Sequence, residues 1–142
     1  MLAAESLIRA RLQSLPGVAG GVHGMAELDM QSVAGKRLPA LFVACDGYRV
    51  VDDKSPGAVR IATRWLVVAA VRQVADVVGG TDARAAASDI AAAVFARLYR
   101  WQPSADYQPM LPAAAPRPDY AAGVLLLPLA FETSQIIERS AS

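Results

Sequence analysis

The chain has 142 residues, 54% of them hydrophobic, and a formal net charge of +1. That balance excludes a nucleic-acid binder driven by bulk electrostatics. The longest charge-free apolar run, around Ala121–Phe131 and broken by Pro128, is too short for the ~20 residues that span a bilayer.

Residues 1–142 fit a single domain. Alanine accounts for 29 of them, and each buries little area, so the core is thin for the composition. Leu2–Leu15 predicts a helix. Leu2, Leu7, Ile8, Leu12 and Leu15 form an apolar stripe, with Glu5, Arg9, Arg11 and Gln13 mostly off it. Pro16-Gly17 ends it. Glu5 inside this pattern, without a long apolar stretch, argues against a secretory signal. Val18–Leu28 is glycine-rich with room for a short strand, and Met30–Leu38 reads as a loop or ragged hairpin.

Pro39–Val51 predicts a strand, with Asp46-Gly47 marking a bulge. Asp52–Ala58, D-D-K-S-P-G-A, is the clearest turn in the chain. It joins Pro39–Val51 to Val59–Val78 as an antiparallel hairpin. In Val59–Val78, Arg60, Arg64 and Arg72 fall on one side of a period-2 pattern. Val59, Ile61, Trp65, Val67, Ala69 and Val71 fall on the other. Such a strand is longer than a compact domain of this size needs.

Gly79-Gly80 breaks the strand, and Thr81 or Asp82 caps the next helix. Asp82–Trp101 is alanine-rich, with Ala83, Ala86, Ala87, Ile90, Val94, Leu98 and Trp101 as its buried stripe. Asp82 and Asp89 early and Arg97 and Arg100 late complement the helix dipole. Gln102–Tyr120 holds Pro103, Pro109, Pro112, Pro116 and Pro118 and reads as a long extended loop. Ala121–Ile137 predicts the last strand, with Pro128 at an edge or bulge. The fold class is α+β: an antiparallel or mixed sheet with a long hairpin, covered on one face by two helices.

No residue set has the form of a catalytic or metal site. His23 is the only histidine and has no ligand cluster beside it. Asp52-Asp53 sits in a turn beside Lys54, which fits a solvated turn better than an acid/base pair. Gly20-Gly21 and Gly79-Gly80 lack the continuation of a phosphate loop, and no G-x-S-x-G elbow exists. Cys45, the only cysteine, reads as a buried strand thiol, compatible with a reducing compartment. No cofactor is called for.

The arginine face is more informative. Its middle is Leu66, Val68 and Ala70, which is apolar. An exposed face should not be apolar over three consecutive positions, so a helix or a second subunit covers it. Leu66, Val68 and Ala70 are therefore candidate interface residues. Arg60, Arg64 and Arg72 either solvate this face or line a positive wall toward an acidic partner or nucleic acid.

The leading helix L-I-R-A-R-L followed by P-G-V resembles a known family. So do P-A-L-F-V-A-C-D-G-Y, the strand R-I-A-T-R-W-L-V-V-A-A-V, the helix A-A-S-D-I-A-A-A-V-F-A-R-L and the ending L-P-L-A-F-E-T-S. Together they resemble the tail terminator and tail-completion proteins of long-tailed bacteriophages, most closely the branch in contractile-tailed, transposable-type phages and their prophages. The resemblance covers nearly the whole chain. It implies a structural virion protein, not an enzyme, that forms a ring of its own copies, commonly a hexamer, on the finished tail tube. The ring ends tube polymerisation and offers a surface to the head connector and neck proteins, with no membrane involved. Its place is the virion tail, after assembly in the bacterial host cytoplasm. Some of Arg60, Arg64 and Arg72 would then face a non-specific DNA passage. The turn at Asp52, Asp53 and Lys54 and the loop carrying Pro112, Pro116, Arg117 and Pro118 would be docking loops, ordered on contact with their partners.

On the residues alone, other classes stay open. One is a head-completion or neck protein. Another is a small hot-dog-type α+β hydrolase using Asp82 or Asp89. A third is a ferredoxin-like ligand-binding module lidded by the proline-rich loop.

Overall fold

A computed structural model describes residues 2–24, 37–54, 56–72 and 81–140, with the Thr81 and Asp82 side chains left out. In chain order these form α1 (Ala4–Leu12), β1 (Val22–Gly24), β2 (Ala40–Asp52), β3 (Ala58–Arg72), α2 (Thr81–Leu98), β4 (Leu111–Ala113), β5 (Asp119–Ala121) and β6 (Val124–Glu138). The strands make one sheet in the order β1-β2-β3-β6-β4, with β5 also on β6. Only β1 and β2 pair in parallel; the other pairings are antiparallel. The class is α+β with a mixed sheet, as the sequence predicts.

The hairpin forms as expected, with Cys45 opposite Trp65 and Ala40 opposite Ala70. The register slips between Cys45 and Tyr48, at Asp46-Gly47, where Gly47 takes φ 91°. Glycine adopts that backbone without a Cβ penalty. β3 is flanked along its whole length by β6, from Ala58 opposite Glu138 to Arg72 opposite Val124.

Alternation in β3 sorts the sheet into two sides. Leu41, Val43, Trp65, Val67, Ala69, Val71, Leu125, Leu129 and Phe131 share one buried cluster with both helices. Trp65, Phe131 and Leu41 there are fully buried, each large apolar side chain stabilising by on the order of 1.5–3 kcal/mol. α1 contributes Ala4, Ile8 and Leu12, an i, i+4, i+8 row, and Leu15 follows. Leu2 is exposed rather than part of this stripe, because it precedes the first helical turn. α2 contributes Ala83, Ala87, Ile90, Val94 and Leu98. The helices are joined at their C-terminal ends. Arg11 Nε donates to the Arg97 carbonyl at 3.0 Å, and Arg97 Nη1 to the Arg11 carbonyl at 3.1 Å, so cations meet the negative ends of both dipoles.

Gln102–Tyr120 departs from the loop reading. β4 and β5 within it pair with β6, and Tyr107 bridges Gln135. Arg100 N–H donates to the Met110 carbonyl, and Met110 N–H to that of Trp101. Tyr107 and Met110 are buried in the helix-side core. Proline suits such a segment because an edge strand bonds on one side only. Pro112 pairs with Phe131 at that edge. Pro128 sits between the stretches of β6 covered by β4 and β5, the local edge that the sequence predicts.

Four expectations lie outside the described residues: the strand beyond Arg72, the short strand beyond Gly24, most of the Met30–Leu38 loop, and the cap at Thr81 or Asp82.

Candidate assembly surface

The helix layer is too short for the sheet. β3 and β6 have 15 residues each, which at ~3.3 Å per residue is about 50 Å. α2 has 18 residues and α1 has 9, or about 27 and 14 Å at 1.5 Å per residue. The outer ends of β2, β3 and β6 therefore extend past the helices as a three-stranded tongue. Tyr48, Val50, Val51, Ile136 and Ile137 are all exposed on it, Tyr48 at 60% and Ile136 at 52%. Tyr48 and Val50 pair with Thr63 and Ile61, and Ile137 with Val59. These three lie on the side that the helices cover further in. Ile136 pairs with Arg60 and faces the other way. Sequence reasoning placed the long strand but missed this apolar end. The signal was a comparison of strand and helix lengths.

The other side of the sheet carries the predicted interface residues. Val68 and Ala70 form a second buried cluster with Ala40, Phe42 and Val124, and Leu66 packs half-buried against it with Leu38 and Leu126. Val68 is 7% exposed and Ala70 fully buried within one chain, so of the three Leu66 retains most of the accessible area. His23 belongs to this side. Its ring tilts against Phe42 with centroids 5.3 Å apart, and Nε2 lies 2.7 Å from the Gly20 carbonyl.

Arg60, Arg64 and Arg72 share this face, as alternation predicts. Arg64 Nε donates to Asp46 Oδ2 at 2.9 Å, and its Nη2 donates to the Ala114 carbonyl. Beside it, Arg49 pairs with Glu132 at 3.0 Å. That hydrogen bond, and then the Glu132 charge, raise the Arg49 pKa above its ordinary value. Arg60 is half-buried, with no hydrogen bond or ion pair among the described residues. Arg72 is exposed at the end of β3.

The two docking loops are not brought together. Asp52, Asp53 and Lys54 turn at the tip of the tongue, where Asp52 Oδ1 accepts from the Lys54 N–H at 3.0 Å. Pro112 lies in β4, and Pro116, Arg117 and Pro118 form the exposed crossing from β4 to β5 beside the middle of β6. Cys45 is half-buried and free. Among the described residues no three potential metal ligands gather, and no helix is long and apolar enough to cross a membrane.

At the β6 edge, a cleft of about 370 Å³ is lined by Arg60, Asp106, Tyr107, Gln108, Gln135 and Ile136. Gln135 Oε1 is buried there without a hydrogen-bond partner.

No curated protein sequence matches the chain. Sixteen chains of solved structures do. One belongs to the "Virion of native gene transfer agent (GTA) particle", with 16% identity and a TM-score of 0.50, covering 97% of this chain and 89% of that one. At that identity the likeness is one of fold. The family model described as "Phage tail terminator protein" matches residues 1–142. A long hairpin sheet under two helices, with a bare apolar end and a whole-length family match, makes this chain a member of the phage tail terminator family.

Proposed function

We propose that the chain caps the tail tube of a phage-like particle. Copies form a ring, a hexamer, on the finished end of the tube. The ring stops polymerisation and presents a surface to the head connector and neck proteins. The observation that carries this reading is the tongue, whose apolar residues Tyr48, Val50, Val51, Ile136 and Ile137 are exposed at one end of the sheet. A patch of that kind marks an interaction site, and family membership supplies the tail context. The role is structural and needs no cofactor or turnover.

In this reading the tip at Asp52, Asp53 and Lys54 meets one neighbour and the crossing at Pro116, Arg117 and Pro118 another, because they lie on different parts of the sheet. Pro112 anchors the crossing to β6. Leu66, at the rim of the second cluster, adds apolar area to a subunit contact. Of the arginine row, Arg60 is the basic residue offered to passing DNA, which a positive wall attracts without sequence preference. Removing the gene from the producing cell tests the function. Over-long tails not joined to heads, restored by a supplied copy, are expected; tails of normal length joined to heads would contradict it.

A further inference from the structure

Two apolar surfaces on different parts of the chain are left uncovered. The first is the helix side of the tongue. Tyr48 stands there on the outer edge of β2, which beyond Val43 has no strand partner among the described residues. Val50 and Ile137 share that side. At the outer end a cleft of about 360 Å³ is lined by Asp53, Pro56, Val59, Ile137, Glu138 and Arg139. Val59 and Ile137 are cross-strand partners and give it an apolar floor. Asp53 and Glu138 outnumber the one cation, and neither carboxylate has an ion-pair partner among the described residues. The cleft therefore suits an apolar group with a positive charge beside it.

The second surface is the outward face at the end of α2. Phe95 is 37% exposed and Tyr99 52%. Tyr99 N–H donates to the Phe95 carbonyl at 2.9 Å, so the two rings stand one turn apart on the same face. The chain carries no charged residue from Ala91 to Ala96, whereas a solvent-facing helix surface is ordinarily polar. Phe95 leans on Phe131, with ring centroids 5.2 Å apart. Tyr99 lies outside the core cluster. Arg100 covers its ring, with Cζ 5.4 Å from the centroid and Nε donating to the hydroxyl at 3.2 Å. No carboxylate pairs with Arg100 among the described residues.

We propose that Tyr99 of a second copy seats in the cleft at the end of the tongue, on Val59 and Ile137, with Arg100 of that copy facing Asp53 and Glu138. Tyrosine and arginine are the side chains that most often anchor an interface when they enter a pocket and lose water. The two surfaces differ, so the contact is heterologous, and repetition with a constant rotation closes a ring. It covers the end of the sheet that the chain's own α2 is too short to reach. The proposal rests on the ring reading and specifies its subunit contact.

The test uses the full chain with Tyr99→Glu or Ile137→Glu, which place a carboxylate on either side of the contact. Each is expected to weaken assembly by more than about tenfold. Wild type and either variant forming rings equally well would overturn this contact and leave the ring reading standing. A wild type that stays monomeric at every concentration would overturn both. A second measurement does not depend on how the glutamate variants fold. In a Cys45→Ala background, Tyr99→Cys is made in one preparation and Ile137→Cys in another, and a short bis-maleimide is the linker. Mixing the preparations is expected to give cross-linked dimers, and either alone none. Rings without cross-links in the mixture would overturn the contact. Cross-linking of either preparation alone to the same extent would mean a two-fold contact and would also overturn it.

Discussion

Arg64 and Asp46 form an ion pair across the hairpin, with Nε 2.9 Å from Oδ2. The bulge that follows Asp46 leaves its side chain on the face of Arg64, just before the register slips. The same guanidinium reaches the Ala114 carbonyl, so one side chain ties β2, β3 and the proline-rich crossing together. Both partners are partly exposed, and such a pair contributes about 0.2–1 kcal/mol; the carbonyl bond adds about 1. Arg64→Ala should therefore cost about 1–2 kcal/mol in chemical denaturation, while Arg60→Ala changes stability by no more than about 0.5. Equal effects would mean that the Arg64 contacts contribute nothing.

Gly47 and Gly57 flank the tongue and differ in backbone. Gly47 has φ +91°, and an added Cβ at either position would meet no atom within 4 Å. Space is therefore not the issue, and conformation alone decides. Gly47→Ala should destabilise by about 1–2 kcal/mol. Gly57→Ala should be neutral or stabilising by up to about 1 kcal/mol. Thermal melts of the two variants check the contrast, and the reverse order would contradict it.

Val68 lies in the second cluster, against Ala40, Phe42, Ala70 and Val124. A carboxylate there has no partner and cannot reach water without disrupting the cluster. Val68→Asp is expected to cost more than about 3 kcal/mol and to yield little soluble protein. Leu66→Asp, at the half-buried rim, should fold and instead weaken self-association. A stable Val68→Asp chain with unaltered assembly would show that this side of the sheet tolerates charge.

Much of this was legible in the sequence because strand and helix periods are local. The alternation from Val59 to Val71 assigned Trp65, Val67 and Ala69 to the helix side and Val68 and Ala70 to the other, and the structure agrees. Asp46-Gly47 announced the bulge through glycine alone. Tyr107 and Met110 were missed because their proline neighbours resemble a loop, whereas their burial depends on pairing with a strand that comes later in the chain. The Tyr48 edge and the orphaned Gln135 acceptor were likewise out of reach. That they share one side of the sheet follows only from the pairings of β3 with β2 and with β6.

The crossing over residues 114–118 is exposed and its backbone lies outside the paired strands. Its proline rings restrict the free loop, so docking loses less entropy than it would for a flexible segment. Replacing it by a short glycine-serine link should cost about 1 kcal/mol or less, chiefly through the Arg64 bond. It should leave the ring intact yet lower the yield of head-joined particles. Particle yields and the mass of the assembly check both parts; full yields would deny the crossing a docking role.

The most direct measurement is the growth of tail tubes in the purified cognate tube protein, followed by electron microscopy with and without this chain. The expected result is arrested growth, with a ring of added density at one end of each tube. Tubes that lengthen at the same rate, with the chain unbound, would contradict the assignment of this protein as the tube cap.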